Sequence, residues 1–280
     1  MATVHNPPGK KYQGQSSLLS KQLLAFYQRV SESTLTVVDV ETTGSIAYKS
    51  SVIEVSVIKA NLAEGILQQK TSLLNPMGKV PPFITKITGI TTAMVSQAPY
   101  PEDIWADYEP LLRQDILTAH NLDFDYGFLQ SEYKRLDVHY YRPPSHRFCT
   151  VLLSRLMLAD LPSRSLPNLV KHFNFDVGVS HRAEADTKAC WLLAKLLLTR
   201  IQQEPEEKIL DLFRQQWIRL QDAATMFGQR KKDVLDLLIK AGLEHRLSKR
   251  QQQPLFRRGD VEEVFYERQQ GEQLSMLEDV

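Results

Sequence analysis

The chain has 280 residues, with 34 Lys plus Arg against 33 Asp plus Glu and a formal net charge of +1, so it is no polycation and any basic surface must be local. At about 150 residues per domain the length predicts two domains or one with an extension, and 42% hydrophobic residues with only two cysteines, Cys149 and Cys190, exclude a disulfide scaffold and point to a reducing compartment. The richest apolar stretch, residues 189–198, is broken by Lys195 and falls short of the roughly 20 residues of a membrane span, and the Pro7-Pro8-Gly9-Lys10-Lys11 start has no secretory core; a cytoplasmic protein without membrane contact is expected.

Residues 1 to about 20 carry Pro, Gly, Ser, Gln and Lys without periodicity, and 1–30 is expected as a mobile leader, with the first domain starting at residue 31. Leu35 to Val40 is a β-branched run that predicts a buried strand, with Glu41-Thr42-Thr43-Gly44 at its end. Ser51 to Lys59 predicts a second strand and Gln69 to Leu74 a third, before a turn region marked by Pro76, Gly78, Pro81 and Pro82. Helical spacing covers Pro101 to Arg113, Phe124 to Leu136, Thr150 to Leu158, Leu166 to Phe173 and, at greatest length, Arg182 to Gln203, with a short strand at Ile116 to Ala119. Strands first and then helices with one more strand predict a mixed α/β layer domain over 31–203. The charged Glu204-Pro205-Glu206-Glu207-Lys208 stretch is the expected boundary to a small, mostly helical domain over 209–268, followed by a tail at 269–280.

Four acids stand where apolar residues belong. Asp39 and Glu41 are two apart on a strand, so both leave the same face. Asp125 begins a helical stripe with Phe128, Leu129 and Leu136, and Asp186 one with Ala189, Cys190, Leu193 and Leu197. Taken singly, each has an ordinary explanation, as a helix-start or turn acid or the partner of a surface lysine. Together they describe convergent buried carboxylates, which need a cation, a hydrogen-bond partner or a proton. Oxygen-only ligands suit Mg²⁺, and two such ions about 3.5–4 Å apart can activate a water and stabilise the leaving oxygen of a phosphodiester. His181, five residues before Asp186, has the side chain for a general base near neutral pH.

The segments Val37-Val38-Asp39-Val40-Glu41-Thr42-Thr43-Gly44, Ala119-His120-Asn121-Leu122-Asp123-Phe124-Asp125-Tyr126-Gly127-Phe128-Leu129 and His181-Arg182-Ala183-Glu184-Ala185-Asp186 resemble the motifs of the DEDD exonucleases with a catalytic histidine, the group of the epsilon proofreading subunit of bacterial DNA polymerase III. The resemblance covers about 35–200. It implies an RNase H-like mixed sheet flanked by helices and 3′→5′ hydrolysis of nucleic acid to nucleoside monophosphates. It assigns Asp39, Glu41, Asp125 and Asp186 to two Mg²⁺ ions, replaceable by Mn²⁺, His181 to the base, and Thr42, Thr43, Asn121 and Phe124 to the 3′-terminal nucleotide. Asp123 is not the expected ligand. Ile87-Thr88-Gly89-Ile90-Thr91 matches a further family segment in which many relatives have His where Thr88 stands.

Beyond the boundary, Ala224, Gly228 and Val234 have the spacing of a helix-turn-helix, with Ala224 allowing close approach, Gly228 making the turn and Val234 with Leu238 packing the second helix. Asp260 is expected to cap a last helix. This part resembles the small winged-helix domains of excisionase and MerR-type proteins. Residues 230–258 hold nine Lys or Arg against Asp233, Asp236 and Glu244. Arg230, Lys231, Lys232, Arg257 and Arg258 are therefore expected on DNA phosphates. Gln273, Leu274, Met276 and Leu277 in the tail resemble the peptide by which bacterial polymerases attach to the sliding clamp, making the clamp or a polymerase an expected partner.

The reading that joins these parts is a metal-dependent 3′→5′ exonuclease acting on DNA 3′ ends in proofreading or repair. A 3′ exoribonuclease is the enzymatic alternative. A DNA- or clamp-binding adaptor with an idle nuclease core is the alternative of another class.

Overall fold

A computed structural model describes residues 15–178, 181–248 and 252–278, the last eight as backbone only. In chain order the elements are α1 (Ser20–Ser31), β1 (Leu35–Thr42), β2 (Val52–Asn61), β3 (Gly65–Leu73), α2 (Pro82–Thr88), α3 (Thr92–Ser96), α4 (Pro101–Leu112), β4 (Ile116–Ala119), α5 (Leu122–Arg135), β5 (Arg147–Cys149), α6 (Thr150–Met157), α7 (Leu166–Phe173), α8 (Ala183–Gln203), α9 (Glu206–Arg214), β6 (Trp217–Arg219), α10 (Leu220–Phe227), α11 (Lys231–Lys240), β7 (His245–Leu247), β8 (Pro254–Arg257) and α12 (Arg258–Glu278). No helix among the described residues is long and apolar enough to cross a membrane.

The chain divides into two compact units. One comprises Phe26–Arg155 with Asp160–Gln203; the other comprises the described residues up to Ala25, Leu156–Ala159 and the chain from Glu204. The first is built on a five-stranded sheet of order β3-β2-β1-β4-β5, with β1 antiparallel to β2 and parallel to β4. The Val-rich β1 occupies the centre because it is buried on both faces, as a strand with helices above and below must be. Val38 and Val40 pack with Trp105, Tyr108, Phe128, Leu129 and Tyr133 of α4 and α5. Asp39 and Glu41, of opposite parity, face α8, which packs on β1 and β2. A register shift at Glu41/Thr42 ends the regular pairing of β1 with β2 beside the acids.

The second unit is a helical region with a small sheet. Gly228 ends α10 in the left-handed region at φ 62° and turns the chain towards α11. Ala224, Val234 and Leu238 are buried with Ile218, Phe256 and Val261. A three-stranded sheet of order β6-β8-β7 completes it.

Several expectations are corrected. The leader does not reach residue 30, because α1 buries Leu23, Leu24, Tyr27 and Val30. The proline-rich turn region opens into α2 and α3, Pro82 being tolerated in a first turn that needs no amide donor. Strand β3 begins earlier than expected and β5 is additional; three residues are too few to show a period. Asp260 lies inside the first turn of α12 rather than at its cap. The backbone of 269–278 continues α12, while the side chains of Gln273, Leu274, Met276 and Leu277 lie outside the described residues.

Candidate active site

The acids converge. One carboxylate oxygen from each of Asp39, Glu41 and Asp186 lies within 4.8 Å of the others, all three half-buried. Asp125, in the first turn of α5, is buried, and its Oδ1 accepts the Val40 N–H at 3.3 Å, tying α5 to the strand that carries Asp39 and Glu41. Its charge, like that of Asp186, bears on Asp39.

The electrostatics are those of like charges taken out of water. Burial first, and then the Asp125, Asp186 and Glu41 charges, push the Asp39 carboxyl well above its ordinary range. Burial, Asp186 and Glu54 push Glu41 up to about 7, against the opposing charge of Arg182. Asp125 and Asp186 move upward too, mainly through burial, while hydrogen bonds from backbone N–H groups pull each back. Among the described residues no Lys or Arg forms an ion pair with any of these four acids. Arg182 is bound instead to Glu54. An oxygen-only cluster held above its natural protonation range is stabilised by a hard divalent cation, so the donor set fits the expected metal.

His181 is exposed at the start of the turn before α8. Its backbone is left-handed at φ 64°, and its N–H donates to Asp186 Oδ2 at 3.2 Å. A non-glycine residue there stores strain, and the Asp186 contact helps to hold it. Asn121, at φ 78°, sharply joins β4 to α5 and is exposed next to Asp125's helix. Phe124 is half-buried, its ring 4.9 Å from Phe128. Thr42 and Thr43 have local partners: Thr42 Oγ1 donates to the Gly44 carbonyl at 2.8 Å, and Thr43 Oγ1 accepts the Ser51 N–H at 2.9 Å.

Three polar residues outside the anticipated set tie elements of this unit together, and the first of them borders the site. Glu54 faces Glu41 across the β1–β2 pair and is almost fully buried. It accepts Arg182 Nε and Nη2 at 2.6–3.2 Å and the Ala183 N–H at 2.9 Å, capping α8. His120 has Nε2 on the Arg164 carbonyl and Nδ1 on the Thr150 hydroxyl, both at 2.9 Å. The carbonyl requires the proton on Nε2, and burial holds the ring neutral with its pKa lowered to about 4. Glu132 accepts from Val52 N–H and Trp105 Nε1 and pairs with Arg135. A signal for Glu54 was present in Ser51 to Lys59, an acid inside an apolar strand.

In the second unit, Arg230, Lys231 and Lys232 are exposed at the start of α11, with Arg230 paired to Asp233 at 2.8 Å. Arg257 is half-buried beside Trp217. Arg258 corrects the sequence expectation. It is 1% exposed, donates to the Leu18 and Ser16 carbonyls and to Gln216 Oε1, and lies 4.0 Å from Glu262. It ties the chain before α1 to α12 and is not presented to a phosphate.

A mixed sheet whose central strand ends in acids, completed by carboxylates from two helices, is the arrangement of a metal-dependent phosphodiester hydrolase with an RNase H-like fold. The model of the RNase T family, described as Exonuclease, matches residues 36–194, and the chain belongs to that family. It is 35% identical over 174 residues to the PolC-type DNA polymerase III of Oceanobacillus iheyensis, covering 62% of this chain and 12% of that protein. It is 30% identical over 168 residues to the DNA polymerase III epsilon subunit of Aquifex aeolicus, covering 60% of this chain and 81% of that subunit. The alignment thus spans only 12% of the PolC-type relative's length. The crystal structure of E. coli Exonuclease I in complex with a dT13 oligonucleotide shares the fold, with TM-score 0.55 and 19% identity over 64% of this chain and 43% of that one.

Proposed function

We propose that this chain is a 3′→5′ exonuclease that removes nucleoside monophosphates from DNA 3′ ends, in proofreading on behalf of a separate polymerase or in repair. The observation that carries this reading is the convergence of Asp39, Glu41 and Asp186, with Asp125 fastened to β1 beside them. The epsilon likeness spans most of that subunit and agrees with it.

In this reading Asp39, Glu41, Asp125 and Asp186 hold two Mg²⁺ ions, with Mn²⁺ as a substitute. Bound ions of this kind supply a water acidified for attack and positive charge at the leaving oxygen. His181, exposed beside Asp186, takes the proton from the attacking water. Thr42, Thr43, Asn121 and Phe124 line the terminal nucleotide. The threonine hydroxyls' local bonds hold the strand end in shape, leaving the exposed Asn121 and the half-buried Phe124 ring for the sugar and base. Arg230, Lys231 and Lys232 add sequence-independent contacts to DNA phosphates, and Gln273, Leu274, Met276 and Leu277 attach the chain to a sliding clamp or a polymerase.

The test is a time course on 5′-labelled single-stranded DNA and RNA of one sequence, with Mg²⁺ or EDTA, for wild type and Asp39→Ala. The expected result is a metal-dependent ladder shortening DNA from its 3′ end and absent in the variant. A ladder on RNA alone would move the reading to RNA turnover, and no cleavage of either would overturn it. Retention on immobilised clamp should fall with Gln273→Ala and Leu277→Ala; unchanged retention would remove the tail.

A further inference from the structure

The sheet of the second unit has two unlike faces. Ile218 of β6 and Phe256 of β8, paired across the strands, are buried in the core. The residues of opposite parity, Trp217, Arg219, Leu255 and Arg257, with Arg246 opposite Leu255, lie on the outer face. None of these five is fully buried, and Arg246 is exposed.

On that face the Arg246 guanidinium carbon lies 4.3 Å from the centroid of the Trp217 ring and that of Arg257 lies 4.5 Å from it. The two cations are therefore separated by no more than the sum of those distances. Arg219, the third cation of the face, is neutralised by Asp222 at 2.8 Å. Among the described residues neither Arg246 nor Arg257 has a carboxylate partner; Arg257 Nη1 donates to the Gln215 carbonyl. Burial and then the Arg257 charge push the Arg246 guanidinium down, as two cations without a counter-anion must. An indole that gathers two guanidiniums by cation–π contact fixes their planes while leaving N–H donors on their edges.

We propose that this outer face, centred on Arg246, Trp217 and Arg257, is a binding site for the phosphodiester backbone of a nucleic-acid strand. Guanidinium forks match phosphate oxygens bidentately, so two held close together suit two phosphates of one strand, and the indole edge offers an apolar surface to the intervening sugar or base. The choice of nucleic acid over another polyanion rests on the exonuclease reading; the anion site itself stands on the geometry of this face. It takes in Arg257, already expected on phosphate from the sequence, shares no residue with the group of Arg230, Lys231 and Lys232, and contains no residue of the acidic site.

The test measures binding of the full chain to a fluorescein-labelled 20-nucleotide single-stranded DNA by anisotropy, in EDTA so that nothing is cleaved, from 50 to 200 mM NaCl. Arg246→Gln/Arg257→Gln should weaken binding about tenfold or more and lower the salt slope by about 1 for each guanidinium removed. Of the three tryptophans, Trp105 and Trp191 are buried, so unlabelled DNA should change emission in wild type and not in Trp217→Phe, with matching thermal melts showing both variants folded. An unaltered salt slope in the double variant, or a fluorescence response surviving Trp217→Phe, would overturn the proposal. If wild type cleaves nothing yet the double variant loses binding and slope, the exonuclease reading fails and this site stands.

Discussion

Arg182 donates two guanidinium nitrogens to Glu54, a carboxylate almost fully buried directly across β1–β2 from Glu41, and Glu54 also takes the Ala183 N–H at the first residue of α8. The pair fixes the start of the helix that carries Asp186 and the turn that carries His181. While paired to Glu54, the Arg182 guanidinium still opposes part of the rise in the Glu41 pKa.

Glu54→Gln is therefore expected to lower kcat on a short oligonucleotide by about tenfold to a hundredfold, as small displacements of reacting groups do, with KM within about twofold. Arg182→Ala should in addition cost about 2–3 kcal/mol by leaving a buried carboxylate with fewer partners. Steady-state kinetics and urea melts measure both effects. Wild-type kcat in Glu54→Gln would show that the pair does not position the site.

Asp39→Asn removes one of four mutually repelling carboxylates. It is expected to abolish metal-dependent cleavage while raising the melting temperature of the metal-free protein at pH 7.5. A lower melting temperature without metal would contradict the repulsion argument.

The acidic cluster and His120 set opposite pH dependences. Glu41 is raised from 4.5 to about 7, so its favourable contribution to folding is fully present below 4.5 and is lost as pH rises through 7, a swing of about 3 kcal/mol at most. Metal-free protein should thus gain stability from this group on acidification from pH 8 to 5, less so in Glu41→Gln, and Mg²⁺ should erase the gain. His120 is lowered from 6.5 to about 4, so its contribution is present above 6.5 and lost as pH falls through 4. Urea melts of His120→Gln should show less acid destabilisation than wild type in that window; an identical profile would exclude this role.

Arg258→Ala should lower stability by about 3–5 kcal/mol, because it strands Glu262 and the carbonyls of residues 16 and 18 in a buried setting. Chemical denaturation measures the loss. At a temperature where the variant is folded, its DNA-binding salt slope should equal that of wild type. A changed slope would return Arg258 to the phosphate contacts.

Local pattern was enough for much of this molecule. The Val-rich β1, the helices over 101–112, 166–173 and 183–203, the glycine turn at Gly228 and the apolar stripes led by Asp125 and Asp186 are legible because strand and helix periods and left-handed turns are properties of a few adjacent residues. The acids stood out by breaking those periods. What lay beyond reach depends on residues distant in sequence. Glu54 looked like one acid in an alternating strand until Arg182, 128 positions later, closed on it. Arg258 read as an exposed cation because charge is local information and burial is not; Leu18, 240 residues away, decides it. The gathering of Arg246 and Arg257 on Trp217 likewise required three strands to pair. Sequence by itself determined which side chains could do chemistry and which elements would carry them. The tertiary structure decided which of their charges met, because desolvation and pairing arise only when separate segments share one interior.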